Sequence, residues 1–379
     1  MIRERGPITV AAFMDLALYD SELGYYARAA QRSGRAGDFF TSVDVGPLFG
    51  DLLERQIAEM VAILDSEFPH PNVDLVEVGA GNGRLSADIL RAARERHPVL
   101  CDRLRLHLVE ASAEARRAHA ATFSVLAADG CLTSSPSLPE SFEGVLIANE
   151  LLDALPVHQV VMREDGLREV FVVPRRLSRD SGSREGGLTT VEGPPSTPAL
   201  AAYLARLEVA LEPGWRTEIN LRAVEWVRDA GRRLRRGFLI LIDYGHEAGD
   251  LYSATHAGGT LTSFSRHTMS GPETAADTPW LERPGEQDLT AHVDFTTVRA
   301  AAEDEGLVTL GFMDQTYFVL GILLGGGAPE PQPVTLRESL ALRTLLMPGG
   351  LGSTHKVLIL GKRVGRPPLM GCSFRQRVT

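Results

Sequence analysis

Glu77 and Glu110 are carboxylates that each close an apolar run, and three glycines follow the first of them at alternate positions, Gly79, Gly81 and Gly83. The run 73–78 is rich in β-branched residues, too short for a helix and long enough for a buried parallel strand. Leu85, Ile89 and Leu90 then recur at helical spacing. A strand, a bare turn and a helix in that order bring a ligand against backbone that any Cβ would block, in the crevice outside the carboxyl ends of a sheet. The acid selects the ligand. A dinucleotide fingerprint spaces its glycines G-x-G-x-x-G and seats a pyrophosphate on the helix N-terminus, where a carboxylate at Glu77 would repel it. The spacing here is G-x-G-x-G, and an acid before it suits a cation. Glu110 ends the alternating run 104–110 and is placed to accept two ribose hydroxyls, in charge-assisted bonds of about 1.5–3 kcal/mol each. A plain turn is the local alternative for the glycines, and a cap on a helix starting near Ser112 is the alternative for Glu110.

Three more strand ends carry polar groups. The run 144–148 leads into Asn149, Glu150 and Asp153, which share one side if the segment turns as a helix; an N-cap with acids near the helix dipole is the structural alternative. The run 238–243 ends in Asp243, Tyr244, Gly245 and His246, so that Tyr244 or His246 can face a substrate. Asp129, after a strand expected at 124–127, can accept an adenine amino group, while Asp129-Gly130 is equally a turn.

The elements that position these groups alternate. Strands at 73–78, 104–110, 124–127 and 144–148 enclose helices at 85–95 and 113–121, which predicts an α/β, doubly wound sheet. The segment 1–70 reads as an N-terminal helical cap with helices at 9–19 and 48–64. Residues 71–156 form the first part of a Rossmann-like core. Residues 157–236 interrupt it as an inserted α+β subdomain: a hairpin of strands 157–162 and 168–173 turning at Asp165-Gly166, a mobile surface loop at 175–198, and helices at 199–211 and 221–235. The core resumes over 237–365 with a helix at 295–305, a strand at 307–312, a helix at 336–346 and a strand at 356–360, before a tail at 366–379.

Composition sets bounds. The chain has 379 residues with 44% apolar and 23% charged content, ordinary for a soluble enzyme with a core and an accessory unit. A net charge of −10 works against nucleic-acid binding, which needs Lys and Arg to displace counterions. Apolar runs are too short to span a membrane. The N-terminus has neither an apolar signal core nor an Arg/Ser-rich amphipathic stretch, so a cytoplasmic location is expected. Cys101, Cys131 and Cys372 stand apart, which reads as reduced thiols and no metal.

Five motifs occur in order: Gly37-Asp38-Phe39-Phe40-Thr41-Ser42, the glycine segment 76–83, Asn149 to Pro156, Ile242 to His246, and Leu289 to Phe295. Together the chain resembles the MidA family of class I S-adenosyl-L-methionine (SAM) methyltransferases over nearly its whole length. The resemblance implies a SAM cofactor, yielding S-adenosyl-L-homocysteine, and protein-arginine methylation of the kind linked to mitochondrial complex I assembly. It implies cofactor contacts from Glu77, Gly79, Ala80, Gly81, Gly83, Glu110 and Ala111, with Asp129 and Gly130 near the adenine. A cap contribution from Asp38, Phe39, Thr41 and Ser42 follows, as do Asn149, Glu150 and Asp153 flanking the methyl. The family usually reads G-P-G-R-G where this chain has Gly79-Ala80-Gly81-Asn82-Gly83, and its Ser-Pro-Glu is Ser42-Val43-Asp44 here. The expected acceptor is an arginine of a protein, with a small molecule as alternative, no nucleic-acid or membrane partner, and a homodimer allowed. An assembly factor that binds SAM without transfer is the alternative from another class.

Overall fold

The computed structural model describes residues 6–27, 41–67, 72–126, 131–175, 187–265, 268–271, 278–325, 335–347 and 350–374. Asp38, Phe39, Asp129 and Gly130 lie outside them. From the N-terminus come β1 (Ile8–Thr9), β2 (Val73–Val78), β3 (Leu104–Val109), β4 (Leu132–Ser135) and β5 (Phe142–Asn149). The middle of the chain supplies β6 (His158–Arg163), β7 (Gly166–Pro174), β8 (Leu188–Gly193), β9 (Arg216–Ile219) and β10 (Leu234–His246). The last stretch adds β11 (Thr262–Ser265), β12 (Thr268–Ser270), β13 (Asp288–Thr290), β14 (Val293–Asp294), β15 (Val308–Asp314) and β16 (His355–Lys362).

The central sheet runs β15-β16-β10-β5-β2-β3-β4, with β14 added beside β10. Strands β4, β3, β2, β5 and β10 run parallel to one another, and β16 is antiparallel to both β10 and β15. Side-chain alternation builds two cores, one on each face. From β5 and β10, Val145, Ile147, Phe238 and Ile240 pack against Phe49, Leu53 and Ile57 of the helix Leu48–Glu67 and against Leu85 and Ile89 of the helix Arg84–Arg96. Leu146, Leu239 and Leu241 face the other way, onto Val224 and Val227 of the helix Leu221–Arg233 and Val298 and Ala301 of the helix Phe295–Asp304. Helices on both faces make the sheet doubly wound, as the alternating pattern predicts. The chain moves outward from β2 through β3 to β4, then returns to β5 on the other side of β2 and continues to β10. The crevice of such a sheet lies at this reversal, at the carboxyl ends of β2 and β5.

A second sheet, β1-β7-β6-β9 with β8 beside β7, is antiparallel and draws its edge strand β1 from the N-terminus. The helix Val10–Tyr19 packs on it through Val10, Phe13 and Met14, with Val161, Val170 and Val172. The helix Leu48–Glu67, read with the cap, instead joins the core layer. A small sheet of β12-β11-β13 completes the fold.

Several local expectations change. Residues 124–126 form a turn, and the strand expected at 124–127 is β4, beginning at Leu132 and parallel to β3. The hairpin turns at Glu164-Asp165, one residue early, because Arg163 pairs with Gly166. The stretch 175–198 is not a loop throughout: β8 pairs with β7 over Glu169–Pro174, using Thr189, Thr190 and Val191, β-branched residues that hold strand conformation despite their polar setting. Residues 176–186 of that stretch lie outside the described ones. The helices expected at 199–211 and 221–235 end at Leu207 and Arg233. The helix Gln315–Gly325 and the strands β9, β11, β12 and β13 have no counterpart among the sequence expectations. No helix among the described residues is long and apolar enough to cross a membrane.

Candidate active site

At the reversal a cavity of about 690 Å³ opens against the glycine turn. Gly79, Gly81 and Gly83 all adopt positive φ, at 71°, 54° and 82°, which L side chains avoid. The three are glycine for different reasons. A Cβ at Gly81 would meet nothing within 4 Å, and the space it would enter is the cavity; a Cβ at Gly83 would sit 2.8 Å from Phe123 Cε2. Gly81 therefore clears room for a ligand and Gly83 for packing between helices. Gly79 is intermediate, with Leu151 Cδ1 at 3.1 Å.

Glu110 holds the turn from the neighbouring strand. Its Oε2 accepts the Gly81 N–H at 2.8 Å and its Oε1 the Ser112 N–H at 2.7 Å, and burial raises its pKa. The N-cap of the next helix is Ser112, which accepts from Ala115 N, and Glu110 supports that cap residue from one side without capping the helix itself. Glu77 is deeper. Its Oε2 accepts from the Ser86 N–H at 3.1 Å and from the Ser86 hydroxyl, while burial pushes its pKa up to about 7, with Glu110 and Asp88 adding repulsion. Glu77 borders the cavity.

Across the crevice the chain leaves β5 through Asn149 and Glu150. No helix forms there: Glu150 has φ 51°, an unusual left-handed turn for this residue type and a strain of order 1–3 kcal/mol. Asp243 maintains it. Its Oδ2 accepts the N–H groups of Leu151, Leu152 and Asp153 at 3.1, 2.7 and 3.4 Å, and the Glu150 N–H reaches the Ile242 carbonyl at 2.8 Å. Burial lifts Asp243 to about 7 against those bonds. The turn aims Glu150 into the cavity, where its Oε1 lies 3.4 Å from Ser42 N, 3.3 Å from Asn149 Nδ2 and 3.3 Å from His355 Nε2. His355 is fully buried, its Nδ1 is 3.0 Å from the Leu351 carbonyl, and the Tyr244 ring lies 3.9 Å from its own.

The sequence candidates thus divide. Glu77, Gly79, Ala80, Gly81, Glu110, Ala111, Thr41, Asn149 and Glu150 line the cavity. Asp153 does not: it is buried behind the wall, its pKa raised well above the usual range by burial and by the neighbouring Asp243, Glu150 and Asp288. Ser42 lies behind the wall, its hydroxyl donating to Gln315 Oε1 at 3.0 Å. His246 does not line the cavity either. It sits beside His256 and His292, with ring centroids 4.8 and 5.2 Å away, and burial lowers its pKa and takes that of His292 down to about 4.

The cavity also has walls the sequence reading missed. Tyr19 and Tyr26 close one side, their hydroxyls donating to the Ala154 carbonyl and to Asp288 Oδ1. Arg222, Trp226, Asp229 and Arg233 project from one helix onto it; their spacing of three to four residues is the signal that marks a face. Arg84 lines it too and pairs with Asp44 at 2.5 Å, while Asp44 Oδ2 accepts from Thr41 N at 3.0 Å, so the segment 41–45 is tied to the helix that follows the glycines.

A SAM molecule fits these groups. Asn149 Oδ1 is buried at the cavity wall with no hydrogen-bond partner among the described residues, an acceptor that an ammonium group would satisfy. Gly81 leaves open space at the cavity, and the carboxylates of buried Glu77 and half-buried Glu110 at adjacent strand tips complement a ligand that is a cation at one end and a nucleoside at the other. A parallel sheet reversed at this point, with an acid before G-x-G-x-G and another ending the next strand, defines a class I SAM-dependent methyltransferase. Residues 52–313 match the model of a family of S-adenosyl-L-methionine-dependent methyltransferases, and the chain belongs to that family. It is 30% identical over 344 residues to the protein arginine methyltransferase NDUFAF7, mitochondrial, of Mus musculus, across 84% of this chain and 71% of that protein. The NDUFAF7 homolog of Drosophila melanogaster is 28% identical across 98% of this chain and 86% of its own. A protein from Burkholderia thailandensis, solved bound to S-adenosyl-homocysteine, superposes with a TM-score of 0.83 at 28% identity, covering 100% of this chain and 93% of that one. The chain is a SAM-dependent methyltransferase. The cytoplasmic location expected from the N-terminus is overturned by the NDUFAF7 relatives, which are named mitochondrial proteins.

Proposed function

We propose that this enzyme transfers the methyl group to an arginine guanidinium of a protein, with Glu150 as the residue that makes the acceptor reactive. The observation that carries the reading is the Glu150 carboxylate, held in a strained turn at the cavity wall beside Asn149 and backed by His355. Relatives named protein arginine methyltransferases support the acceptor class.

SAM supplies a methyl on a positive sulfur, already an activated leaving group. The chain's residues therefore align and exclude water, which is worth about 7–11 kcal/mol in well-placed reactions. Glu77 and Asn149 Oδ1 take the amino end of the donor, Glu110 takes the ribose hydroxyls, and Gly81 admits the chain between them. A guanidinium, with pKa above about 12, is a poor nucleophile until its charge is drawn to one side and a proton is accepted. Glu150 does both at its Oε1. Asn149 Nδ2 and Ser42 N steady that oxygen, and His355 Nε2 stands behind it. Asp153 takes no part in this reading.

The test is transfer of radiolabelled methyl from SAM to a lysate of cells lacking the protein, with wild type and Glu150→Gln compared, followed by tandem mass spectrometry of labelled peptides. Methyl-arginine in a protein, lost in the variant, is expected. Label only in dialysable material would replace the acceptor with a small molecule, and no label with intact SAM binding would leave a scaffold.

A further inference from the structure

We infer that His246, His256 and His292 form a binding site for a divalent transition-metal ion, with zinc the ion their donor set fits. One ligand nitrogen of each histidine lies within 4.8 Å of the other two. The three come from separate segments. His246 ends β10, His256 ends a short turn of 3₁₀ helix at Ala254–His256, and His292 lies between β13 and β14.

The backbone brings them together deliberately in a physical sense: each segment is pinned. Gly245 pairs with Val293, whose carbonyl would lie 2.2 Å from a Cβ at 245, so only glycine lets β14 approach β10 and set His292 beside His246. The His292 N–H donates to Thr260 Oγ1 at 3.0 Å, and the Arg216 N–H donates to the Ala257 carbonyl at 2.8 Å, next to His256. His256 Nδ1 lies 2.9 Å from the Asp250 carbonyl, which makes it the protonated nitrogen and leaves Nε2 for a ligand. His292 Nδ1 is buried without a hydrogen-bond partner among the described residues, a desolvated nitrogen that a metal bond would satisfy.

Three imidazoles with an open fourth position suit zinc, whose bonds to nitrogen are about 2.0–2.1 Å and whose ligands then sit about 3.4 Å apart. The present spacing, up to 4.8 Å, is wider than that and would have to close on binding. The site lies outside the SAM cavity, and the cysteines, from which the sequence suggested no metal, take no part. Its structural effect is to clasp the excursion 247–292 to the end of β10.

Full-length protein without a histidine tag is stripped with chelator, titrated with zinc against a chromophoric competitor, and separately with cobalt, whose tetrahedral complexes absorb in the visible. One zinc per chain and intense cobalt bands are expected, with affinity at least about a hundredfold weaker in His256→Ala and in His246→Ala. His256 is partly exposed, and retained binding of S-adenosyl-homocysteine by His256→Ala shows that the variant is folded. Failure of the wild type to take up one equivalent, or equal affinity in folded His256→Ala, overturns the site.

Discussion

Glu77 is a buried acid that holds its proton up to about pH 7 in the ligand-free protein, and the account requires it to be ionised when it meets the amino end of SAM. At pH 6 about one molecule in ten carries the charge and at pH 8 about nine in ten. Donor affinity should therefore tighten about tenfold between those values, about 1.4 kcal/mol, and level off above. Stability runs the other way. An unfolded glutamate loses its proton near 4.5 and the folded one near 7, so the folded state holds more protons between them and loses stability as pH climbs through that window. The loss reaches about 3 kcal/mol and is complete above pH 7. Glu77→Gln keeps an acceptor for Ser86 and carries no charge. It should be the more stable protein at pH 8 without ligand, bind the donor more weakly there, and lose this part of the pH dependence. Titration calorimetry of wild type and variant across pH 6–8, with thermal melts in the same buffers, reads both quantities, and the difference between proteins cancels the donor's own titration. Parallel affinity profiles in the two proteins would refute the electrostatic argument.

The glycines should separate. Both substitutions carry the strain of a positive φ, but Gly81→Ala adds only a methyl in the open cavity and is expected to weaken donor binding with a modest fall in melting temperature, whereas Gly83→Ala also collides with Phe123 and should lower the melting temperature further; calorimetry and melts distinguish them, and equal effects on both would show the turn to be purely structural. Asp243→Ala leaves three amide N–H groups of the turn without their carboxylate, a loss of several kcal/mol at about 1–3 each; transfer should fail through misplacement of Glu150, and a variant with full activity would remove Asp243 as the anchor. Glu150→Gln is expected to cut the rate of transfer by about 10²-fold or more at unchanged SAM affinity, measured by initial rates and calorimetry.

The parts of this protein that follow from local periodicity were legible beforehand. Val73–Val78, the glycines, Leu104–Val109 and the apolar run inside β10 carry their own patterns, and the two acids at strand ends then point to the cavity. What depends on contacts distant in sequence was not. Glu150 escapes the helix suggested by its neighbours because Asp243, 93 positions later, captures the amides of the turn, and the same capture takes Asp153 away from the site. β8 is polar and Gly-flanked, and becomes a strand only through pairing with β7. His246 looked like a strand-end base beside an apolar run; its company with His256 and His292 is created by the approach of β14, which nothing in the run announces. Trp226 and Arg222 repeat at helical spacing, yet which cavity that face lines depends on where the crossover from β5 to β10 lies.

A crystal structure of the enzyme with S-adenosyl-homocysteine tests the central claim most directly. The account predicts both ribose hydroxyls on Glu110, the amino group against Glu77 and Asn149 Oδ1, the chain passing over Gly81, and the sulfur turned toward Glu150. A bound product whose sulfur faces away from Glu150, or whose ribose ignores Glu110, would contradict it.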